Sequence, residues 1–474
     1  MANKSIKKNY IYNLLYQLLV IIIPIITTPY ISRVLGSTGI GVYSYTVSIT
    51  AYFIMIGTLG INTYGQREIA YVQDDKEKRS KVFIELFIIR MIATLISIFI
   101  FYILFASHGE YALYYKILLL ELVAQIFDIT WFFQGLEEFK KVVIRNFIVK
   151  IIFVVCIFIF VRSPEDVWKY TFIYSISTIV GNLTLWLKLR NYLTHVRKIE
   201  LKKHIKPTLL LFLPQIAVQV YTVLDKTMLG FLLHDMSVVG CYEQAQKIVK
   251  ISLTIITALG TVMIPRISNI YAQGNILELK KQLFNSFRFV WVLSFPIIFG
   301  LIAVSDHFVP LFYGQGFDSV KGLINIFTIM VPVIGFANVI GIQYLLPTKQ
   351  QNKYTVAVIC GAIVNLILNL ILIPRFKAEG AAIATIAAEI IGLSIQIAYV
   401  WKQFDFIKIF KSMFNYLISG LIMFGLCLIV GKLINSDFIA VLCQILTGLI
   451  SYFGILYLIN DSFIKKILRK KVRV

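Results

Sequence analysis

Long apolar stretches alternate with short polar breaks along the whole chain. Most stretches hold about 18–25 residues, enough to cross about 30 Å of hydrocarbon at 1.5 Å per residue in a helix. The pattern therefore predicts an all-α polytopic membrane protein with about fourteen transmembrane helices and both termini in the cytoplasm. We place the spans at residues 11–33, 39–62, 82–106, 113–135, 146–162, 169–189, 208–233, 239–265, 284–304, 318–345, 354–373, 380–401, 413–434 and 439–460.

Composition supports a lipid-embedded fold. Of the 474 residues, 58% are hydrophobic, and the mean hydropathy is +0.81. Soluble domains contain about 45–50% apolar residues, so a soluble fold of this length could not bury so much apolar surface. The five cysteines stand singly inside apolar runs, without metal-site or disulfide spacing. We interpret them as small core residues.

The net charge of +22 has two candidate explanations, nucleic-acid binding and membrane topology. With the N-terminus in the cytoplasm, most of the 46 Lys and Arg residues fall in cytoplasmic segments. The opposite loops carry few, among them Arg375 and Lys377. This distribution follows the positive-inside rule, so topology explains the charge and we expect no nucleic-acid partner.

Weak internal similarity divides the chain. Gly41 corresponds to Gly240 and Arg67 to Arg266, at a shared offset of about 200 residues. Since six spans separate the two copies, they keep the same orientation and form a parallel repeat. We predict two six-helix lobes plus two C-terminal helices. The divisions are residues 1–206, an N-lobe ending in a basic cytoplasmic connector; 207–401, a C-lobe; and 402–474, two spans with a basic cytoplasmic tail.

Charged side chains inside spans are functional candidates, because hydrocarbon disfavours them. The candidate cavity cations are Arg33, Arg90, Lys226, Lys247 and Lys250, and the candidate cavity or ion-pair acids are Glu121, Asp128 and Glu243. Glu243, Lys247 and Lys250 lie at i, i+4 and i+7, which favours one charged helix face towards a water-filled cavity. Lysines there could bind a pyrophosphate.

Two of these cations have alternative readings. Arg90 could contact Glu121 and Asp128 as a structural ion pair between helices, or it could line the cavity. Arg33 ends the first span, where it could bind a phosphate bidentately or extend to lipid headgroups. We expect Pro24 and Pro29 to kink or break that helix.

Polar residues on the later spans suggest a cation site. Asn365 and Asn369 lie at i and i+4, so their amide oxygens share a helix face. With the Asp225 carboxylate and the Thr385 hydroxyl they could coordinate a cation. The alternative is hydrogen bonding between helices, which is common for Asn in membranes.

Several motifs together are similar to those of bacterial polysaccharide repeat-unit flippases. They are Thr28–Gly36 with Gly39–Tyr45, Trp131–Phe139, Leu224–Gly230 and Val239–Tyr242. The resemblance covers essentially the whole chain. That family shares a superfamily with multidrug-extruding MATE transporters and lipid II flippases.

The resemblance implies alternating access of two lobes around a cationic central cavity in the bacterial cytoplasmic membrane. The implied cargo is an oligosaccharide on undecaprenyl pyrophosphate, moved to the outer leaflet. The two C-terminal helices would form a groove for the lipid tail. Asp225, Asn365, Asn369 and Thr385 sit at positions resembling a flippase sodium site, although a carboxylate can stand where this chain has Asn369. Transport could be coupled to Na⁺, to H⁺ or to no ion, and no other cofactor is expected.

Competing functions make different demands. A MATE-like exporter of cationic drugs needs an acid-lined cavity, and a lipid II flippase would itself be essential. A membrane polymerase or ligase needs a long outer loop with paired catalytic side chains, but no loop exceeds about 20 residues, so we expect a non-enzyme. We expect a monomer in contact with membrane lipids, with polysaccharide polymerase and glycosyltransferases as candidate partners.

Overall fold

The computed structural model describes the backbone of residues 6–196, 198–461, 463 and 465. Side chains are described for these residues except 6–21, 139, 140, 213, 214, 217, 218, 220, 221, 261 and 262. Every regular element in this part of the chain is helical. The predicted cytoplasmic N-terminus and basic C-terminal tail lie largely outside the described residues.

Contacts divide the chain into two compact units, Met1–Gly240 and Cys241–Val474. The first unit contains α1 (Ile6–Thr58), α2 (Ile61–Tyr71), α3 (Lys76–Phe101), α4 (Ala112–Phe127), α5 (Thr130–Gly135), α6 (Phe139–Phe160), α7 (Val167–Leu189), α8 (Lys202–Leu233) and the start of α9 (Met236–Ala272). The second contains the rest of α9, α10 (Ile276–Tyr313), α11 (Ser319–Phe327), α12 (Met330–Ala337), α13 (Gln351–Val400), α14 (Phe406–Lys411), α15 (Phe414–Leu433) and α16 (Asp437–Leu458).

The unit boundary does not coincide with the predicted one at residue 206. The seventh predicted span, α8, packs along α1, so its contacts are with the first unit. The predicted division into lobes was drawn from loop composition and the internal repeat, and it stays a prediction.

Eleven helical segments of the described chain are long and apolar enough to cross a membrane. Two of them, Ile22–Tyr71 and Gln351–Val400, have 50 residues each, more than twice the length that about 30 Å of hydrocarbon requires. Each contains a break, at Gly36 and at Lys377 respectively. The structure thus shows a polytopic helical membrane fold, while the count of fourteen spans stays a prediction.

The break in α1 corrects the expectation for its prolines. Pro24 and Pro29 both lie inside continuous helix, whereas Gly36 has φ 66° and ψ 177°. Glycine tolerates positive φ because it has no Cβ, so the chain turns there without steric cost. The predicted first and second spans are joined at this residue.

Just after this turn, α1 crosses the start of α9 at very short distance. A Cβ built on Gly41 would lie 1.6 Å from the Met236 carbonyl oxygen, and one on Gly240 would lie 1.9 Å from the Ser37 carbonyl oxygen. Only glycine allows the two backbones to approach so closely. The two glycines that marked the internal repeat therefore pack directly on each other.

The basic connector packs against the start of α3. The buried Glu85 carboxylate accepts from the backbone N–H of Glu200 at 2.7 Å and lies 2.9 Å from His204 Nε2. His204 Nδ1 in turn lies 2.8 Å from the Tyr64 hydroxyl. The Asp75 carboxylate caps α3 by accepting hydrogen bonds from the backbone N–H groups of Lys78 and Glu77. The hydrogen bond from Lys78 is the main reason why the pKa of Asp75 is lowered.

In the second unit, α13 is a tight helical hairpin. At Lys377 the chain adopts φ 49° and ψ −128°. Beyond it, a Cβ on Gly380 would lie 2.4 Å from the Leu372 carbonyl oxygen, and a Cβ on Gly361 would lie 3.2 Å from that of Ala388. The halves therefore run antiparallel with small residues between them, as the predicted eleventh and twelfth spans require.

The last two long helices pack on α10. Arg288 of α10 donates to the Tyr416 hydroxyl and to Asp461 Oδ2, both at 2.9 Å. Gln444 of α16 donates to the Ala303 carbonyl of α10 at 3.0 Å. Arg288 thus joins α10 to the start of α15 and to Asp461, just after the end of α16.

Candidate substrate cavities

Two adjoining cavities lie within the first unit, among its helices. The first, of about 540 Å³, we call the cationic cavity. It lies among α5, α6 and α7 and is lined by Asn62, Asp128, Thr130, Trp131, Gln134, Val142, Val143, Arg145, Asn146, Val149, Lys150, Phe153, Tyr174, Ser177, Thr178, Gly181 and Asn182. The lining positions on α6 recur every three to four residues, so one face of this helix forms the wall.

Arg145 and Lys150 supply the positive charge of that wall. Arg145 Nη1 donates to Asn182 Oδ1 at 2.9 Å, which fixes the guanidinium between α6 and α7. Lys150 has no hydrogen-bond or ion-pair partner in the part of the chain that the structure describes. Ile148 and Ile152, on the opposite face, are exposed as lipid-facing residues would be.

Lys150 lies deep in the membrane segment. It follows the first residue of α6 by about 16 Å at 1.5 Å per residue, in a helix of 22 residues. An ammonium group at that depth is costly unless water or an anion reaches it. Lys150 is therefore poised to bind an anionic ligand in the cationic cavity.

The second cavity of this unit, of about 570 Å³, we call the amide-rich cavity. It lies between α1, α4 and α8. Its lining residues are Val47, Thr50, Ala51, Ile54, Met55, Thr58, Asn62, Leu118, Glu121, Gln125, Tyr174, Gln215 and Gln219. None of them is a cation, and Asn62 and Tyr174 also line the cationic cavity, so the two spaces are neighbours.

Arg90 is fully buried beside both cavities and lines neither. Its Nε donates to the Gln125 carbonyl at 2.6 Å, and its Nη1 donates to Asn62 Oδ1 at 2.8 Å. Its Nη2 lies 3.4 Å from Asp128 Oδ2. Of the two predicted carboxylate partners, Asp128 pairs with Arg90 and Glu121 does not. Arg90 thus forms an ion pair and hydrogen bonds with residues of neighbouring helices, and its assignment to substrate binding stays a prediction.

The other predicted charges of this unit lie away from the two cavities. Arg33 is exposed, Lys226 is half-buried and Asp225 is buried, and none lines either cavity. Beside them, the Thr227 hydroxyl lies 2.9 Å from that of Ser48, which joins α8 to α1. Their assignment to substrate or cation binding stays a prediction.

In the second unit, the predicted charged stripe on α9 is present. Glu243 and Lys247 are half-buried and Lys250 is exposed. Lys250 Nζ donates to Gln246 Oε1 at 2.8 Å, and Gln246 Nε2 donates to the Tyr242 hydroxyl at 3.4 Å. A line of hydrogen bonds thus follows one face of α9, and the binding role of its lysines stays a prediction.

Tyr242, at one end of this line of hydrogen bonds, contacts one of the predicted cation ligands. The Tyr242 hydroxyl lies 3.2 Å from Thr385 Oγ1, and Asn369 Nδ2 donates to Asn365 Oδ1 at 3.1 Å across one helical turn. All three predicted ligands of the second unit are buried neutral oxygen donors, the type that Na⁺ accepts. Asp225, the predicted carboxylate ligand, belongs to the first unit.

An apolar cavity of about 320 Å³ lies between α9, α10, α15 and α16. Its lining is Ile248, Ser252, Pro296, Ile297, Gly300, Leu301, Val304, Phe308, Met423, Cys427, Val441, Gln444, Ile445, Gly448, Leu449, Tyr452 and Phe453. Such a surface accommodates a hydrocarbon chain and offers almost nothing to a sugar or phosphate.

Comparison with known proteins places the chain in a family. A profile of the family described as "Polysaccharide biosynthesis protein" matches residues 6–271, more than half of the chain. The chain belongs to the polysaccharide biosynthesis protein family. A second profile, "Lipid II flippase MurJ", matches residues 171–450. The second profile also covers more than half of the chain, and the chain is therefore a membrane flippase.

Individual relatives agree with this family assignment. This flippase is 24% identical over 407 residues to a protein of Escherichia coli (strain K12) named "Putative O-antigen transporter", covering 84% of this chain and 97% of that one. Its fold resembles a lipid II flippase MurJ in an inward closed conformation, with TM-score 0.72 and 18% identity, over 92% and 99% of the two chains. An inward-facing MATE transporter gives TM-score 0.61 and 12% identity, over 81% and 98%. The flippase is a multi-pass protein of the cytoplasmic membrane.

Sequence reasoning missed the two cations of this flippase's cationic cavity. Arg145 was counted as a cytoplasmic charge and Lys150 fell near the start of a span predicted at 146–162. The helix begins at Phe139, seven residues earlier, so both side chains lie deeper than predicted. A lysine inside a span, with isoleucines on the opposite face, was the signal that could have found the cavity.

Proposed function

We propose that this flippase moves an oligosaccharide linked to a prenyl diphosphate from the cytoplasmic to the outer leaflet, for surface polysaccharide synthesis. The observation that carries the proposal is the cationic cavity, where Lys150 faces a polar space from the middle of a helix long and apolar enough to cross a membrane. A diphosphate cannot cross hydrocarbon unaided, and fixed cations with amides and hydroxyls replace its hydration.

The chemistry of the wall assigns the roles. Arg145, held by Asn182, offers a planar donor group in a fixed position, whereas Lys150 is a flexible point charge. Asp128, the acid in this wall, lies against Arg90, so Arg145 and Lys150 give the cavity a net positive charge. An acid-lined site for cationic drugs has the opposite polarity, which argues against the MATE-like alternative.

The apolar cavity beside α15 and α16 suits the other end of such a substrate. Its lining is nearly all hydrocarbon, so a prenyl chain can leave bulk lipid for it with little change in solvation. Substrates with a polar head and a long apolar tail need both kinds of surface. The second unit therefore supports a lipid-linked cargo over a free sugar.

Reconstituted protein tests the proposal. Full-length flippase is placed in liposomes with a fluorescent prenyl-diphosphate oligosaccharide, and an impermeant reducing agent reports how fast label moves between leaflets. Lys150→Ala should slow transport about tenfold, as loss of a charge-assisted contact predicts. Lys116→Ala removes an exposed lysine from the same unit and should transport at the wild-type rate. Transport no faster than in protein-free liposomes would contradict the proposal.

A further inference from the structure

The amide-rich cavity has a different chemistry from its cationic neighbour. Its polar lining consists of amides, hydroxyls and the carboxyl group of Glu121, and none of the lining residues that the structure describes carries a positive charge. Apolar side chains such as Ile54 and Leu118 complete the wall. Amides and hydroxyls that both donate and accept, beside apolar surface, match a sugar with its hydroxyl groups and its C–H faces.

Arg90 determines which ends of two amides remain available. Its guanidinium takes the oxygen of Asn62 at 2.8 Å and that of Gln125 at 3.4 Å, so their NH₂ groups are left to donate to a ligand. Gln215 uses its own NH₂ on the Thr63 hydroxyl at 3.1 Å, so its oxygen is left to accept. The cavity therefore offers donors on one side and an acceptor on another.

Glu121 adds the strongest acceptor. Its side chain is 5% exposed, and its Oε1 atom has no hydrogen-bond partner among the described residues. A buried carboxyl oxygen left unsatisfied is costly, and that cost falls when a ligand hydroxyl donates to it. Carboxyl groups also disfavour an anionic ligand, so this cavity selects against a second phosphate or an acidic sugar.

The two cavities are adjacent at shared residues. Asn62 and Tyr174 line both. A ligand with its diphosphate near Lys150 would therefore place the attached sugar next to the amide-rich cavity. This order of groups is the order in a sugar joined to a lipid through a diphosphate.

We propose that the amide-rich cavity binds the sugar directly attached to the diphosphate, and that this sugar is uncharged and carries hydroxyl or acetamido groups. The inference rests on the proposed function, because it takes the diphosphate as the ligand of the cationic cavity. Glu121 is then a specificity residue for the sugar, and Arg90 is a positioning residue that acts through Asn62 and Gln125.

Binding measurements on the purified full chain in lipid nanodiscs test this inference with three probes. They are farnesyl diphosphate, the same lipid bearing N-acetylglucosamine, and the same lipid bearing glucuronic acid. Wild-type protein should bind the N-acetylglucosamine lipid about tenfold more tightly than farnesyl diphosphate, the gain expected from one or two hydrogen bonds to a buried acceptor. The glucuronic acid lipid should show no such gain.

Variants separate the two cavities. Glu121→Gln, which keeps the shape of the side chain, should reduce the tenfold gain to about twofold or less. Lys150→Ala should weaken both diphosphate lipids by a similar factor and leave their ratio unchanged. Glu165→Gln is the control for Glu121→Gln, and Lys116→Ala is the control for Lys150→Ala, because each makes the same substitution at an exposed residue. Size-exclusion profiles confirm that each variant is folded.

The outcomes distinguish this inference from the proposed function. Equal wild-type affinity for the sugar-bearing and bare lipids, or tighter binding of the glucuronic acid lipid, would overturn the sugar site while diphosphate binding stands. If Glu121→Gln kept the tenfold gain in affinity for the sugar-bearing lipid, Glu121 would not be part of the sugar site. Absent diphosphate binding, or binding insensitive to Lys150→Ala, would overturn the proposed function itself.

Discussion

The crossing of α1 and α9 makes Gly41→Ala a strongly destabilising change. Its new methyl carbon would lie 1.6 Å from the Met236 carbonyl oxygen, whereas ordinary contacts begin at 3.4 Å. One helix must therefore move by about 1.8 Å, and because both sides are helical backbone, no side-chain rotation can relieve the overlap.

The magnitude follows from that displacement. Overpacking by a single methyl group costs typically about 1–3 kcal/mol, and a clash between two backbones belongs at the upper end. Alanine also has a higher helix propensity than glycine, by about 1 kcal/mol, which offsets part of the cost. The net cost is then about 2 kcal/mol, and at about 2–4 °C per kcal/mol for a unit of this size we expect Tm to fall by about 4–8 °C.

Thermal unfolding in detergent, followed by tryptophan fluorescence, measures this change. Gly425→Ala is the matched control, because a Cβ at this helical glycine of α15 meets no atom within 4 Å. It should leave Tm unchanged or slightly raised through helix propensity. Equal Tm values for Gly41→Ala and wild type would refute the close crossing.

Three further predictions concern other features of the structure. Arg90→Met should destabilise the first unit by about 3 kcal/mol, because it removes one partner of a buried pair and leaves Asp128 uncompensated; chemical denaturation of the variant measures this. His204→Ala should speed trypsin cleavage in the basic connector, because His204 joins this segment to the buried Glu85, and unchanged cleavage would show that the contact does not hold it. Asn369→Ala should abolish any acceleration of transport by Na⁺ over K⁺ in liposomes, and an undiminished sodium effect would exclude Asn369 as a ligand.

The helical membrane fold could be predicted because lipid imposes a simple rule, namely an apolar run of about 20 residues for each crossing. The hairpin at Lys377 followed from the same rule, since residues 354–401 are far too long for one crossing. The turn at Gly36 was harder to predict from the sequence. Pro24 and Pro29 are the stronger helix breakers in sequence, yet prolines persist within membrane helices when other groups satisfy the freed carbonyls.

The candidate site was harder to predict because a sequence shows which charges enter the membrane and not which of them are paired. Arg90 and Lys150 look alike as single cations within spans. In the fold Arg90 is enclosed by Asn62, Gln125 and Asp128, whereas Lys150 faces a cavity. The contacts that separate these roles come from α2 and α4, far away in the sequence.

The central claim is that a positive charge at position 150 carries the diphosphate through the first unit. Lys150→Cys can be modified in reconstituted protein with aminoethyl methanethiosulfonate, which restores an ammonium group, or with the neutral methyl reagent. We predict that Lys150→Cys transports the lipid-linked oligosaccharide slowly, that the aminoethyl reagent restores most of the wild-type rate, and that the methyl reagent does not. Treated wild-type protein controls for the five natural cysteines. Wild-type transport by unmodified Lys150→Cys, or equal rescue by both reagents, would contradict the claim.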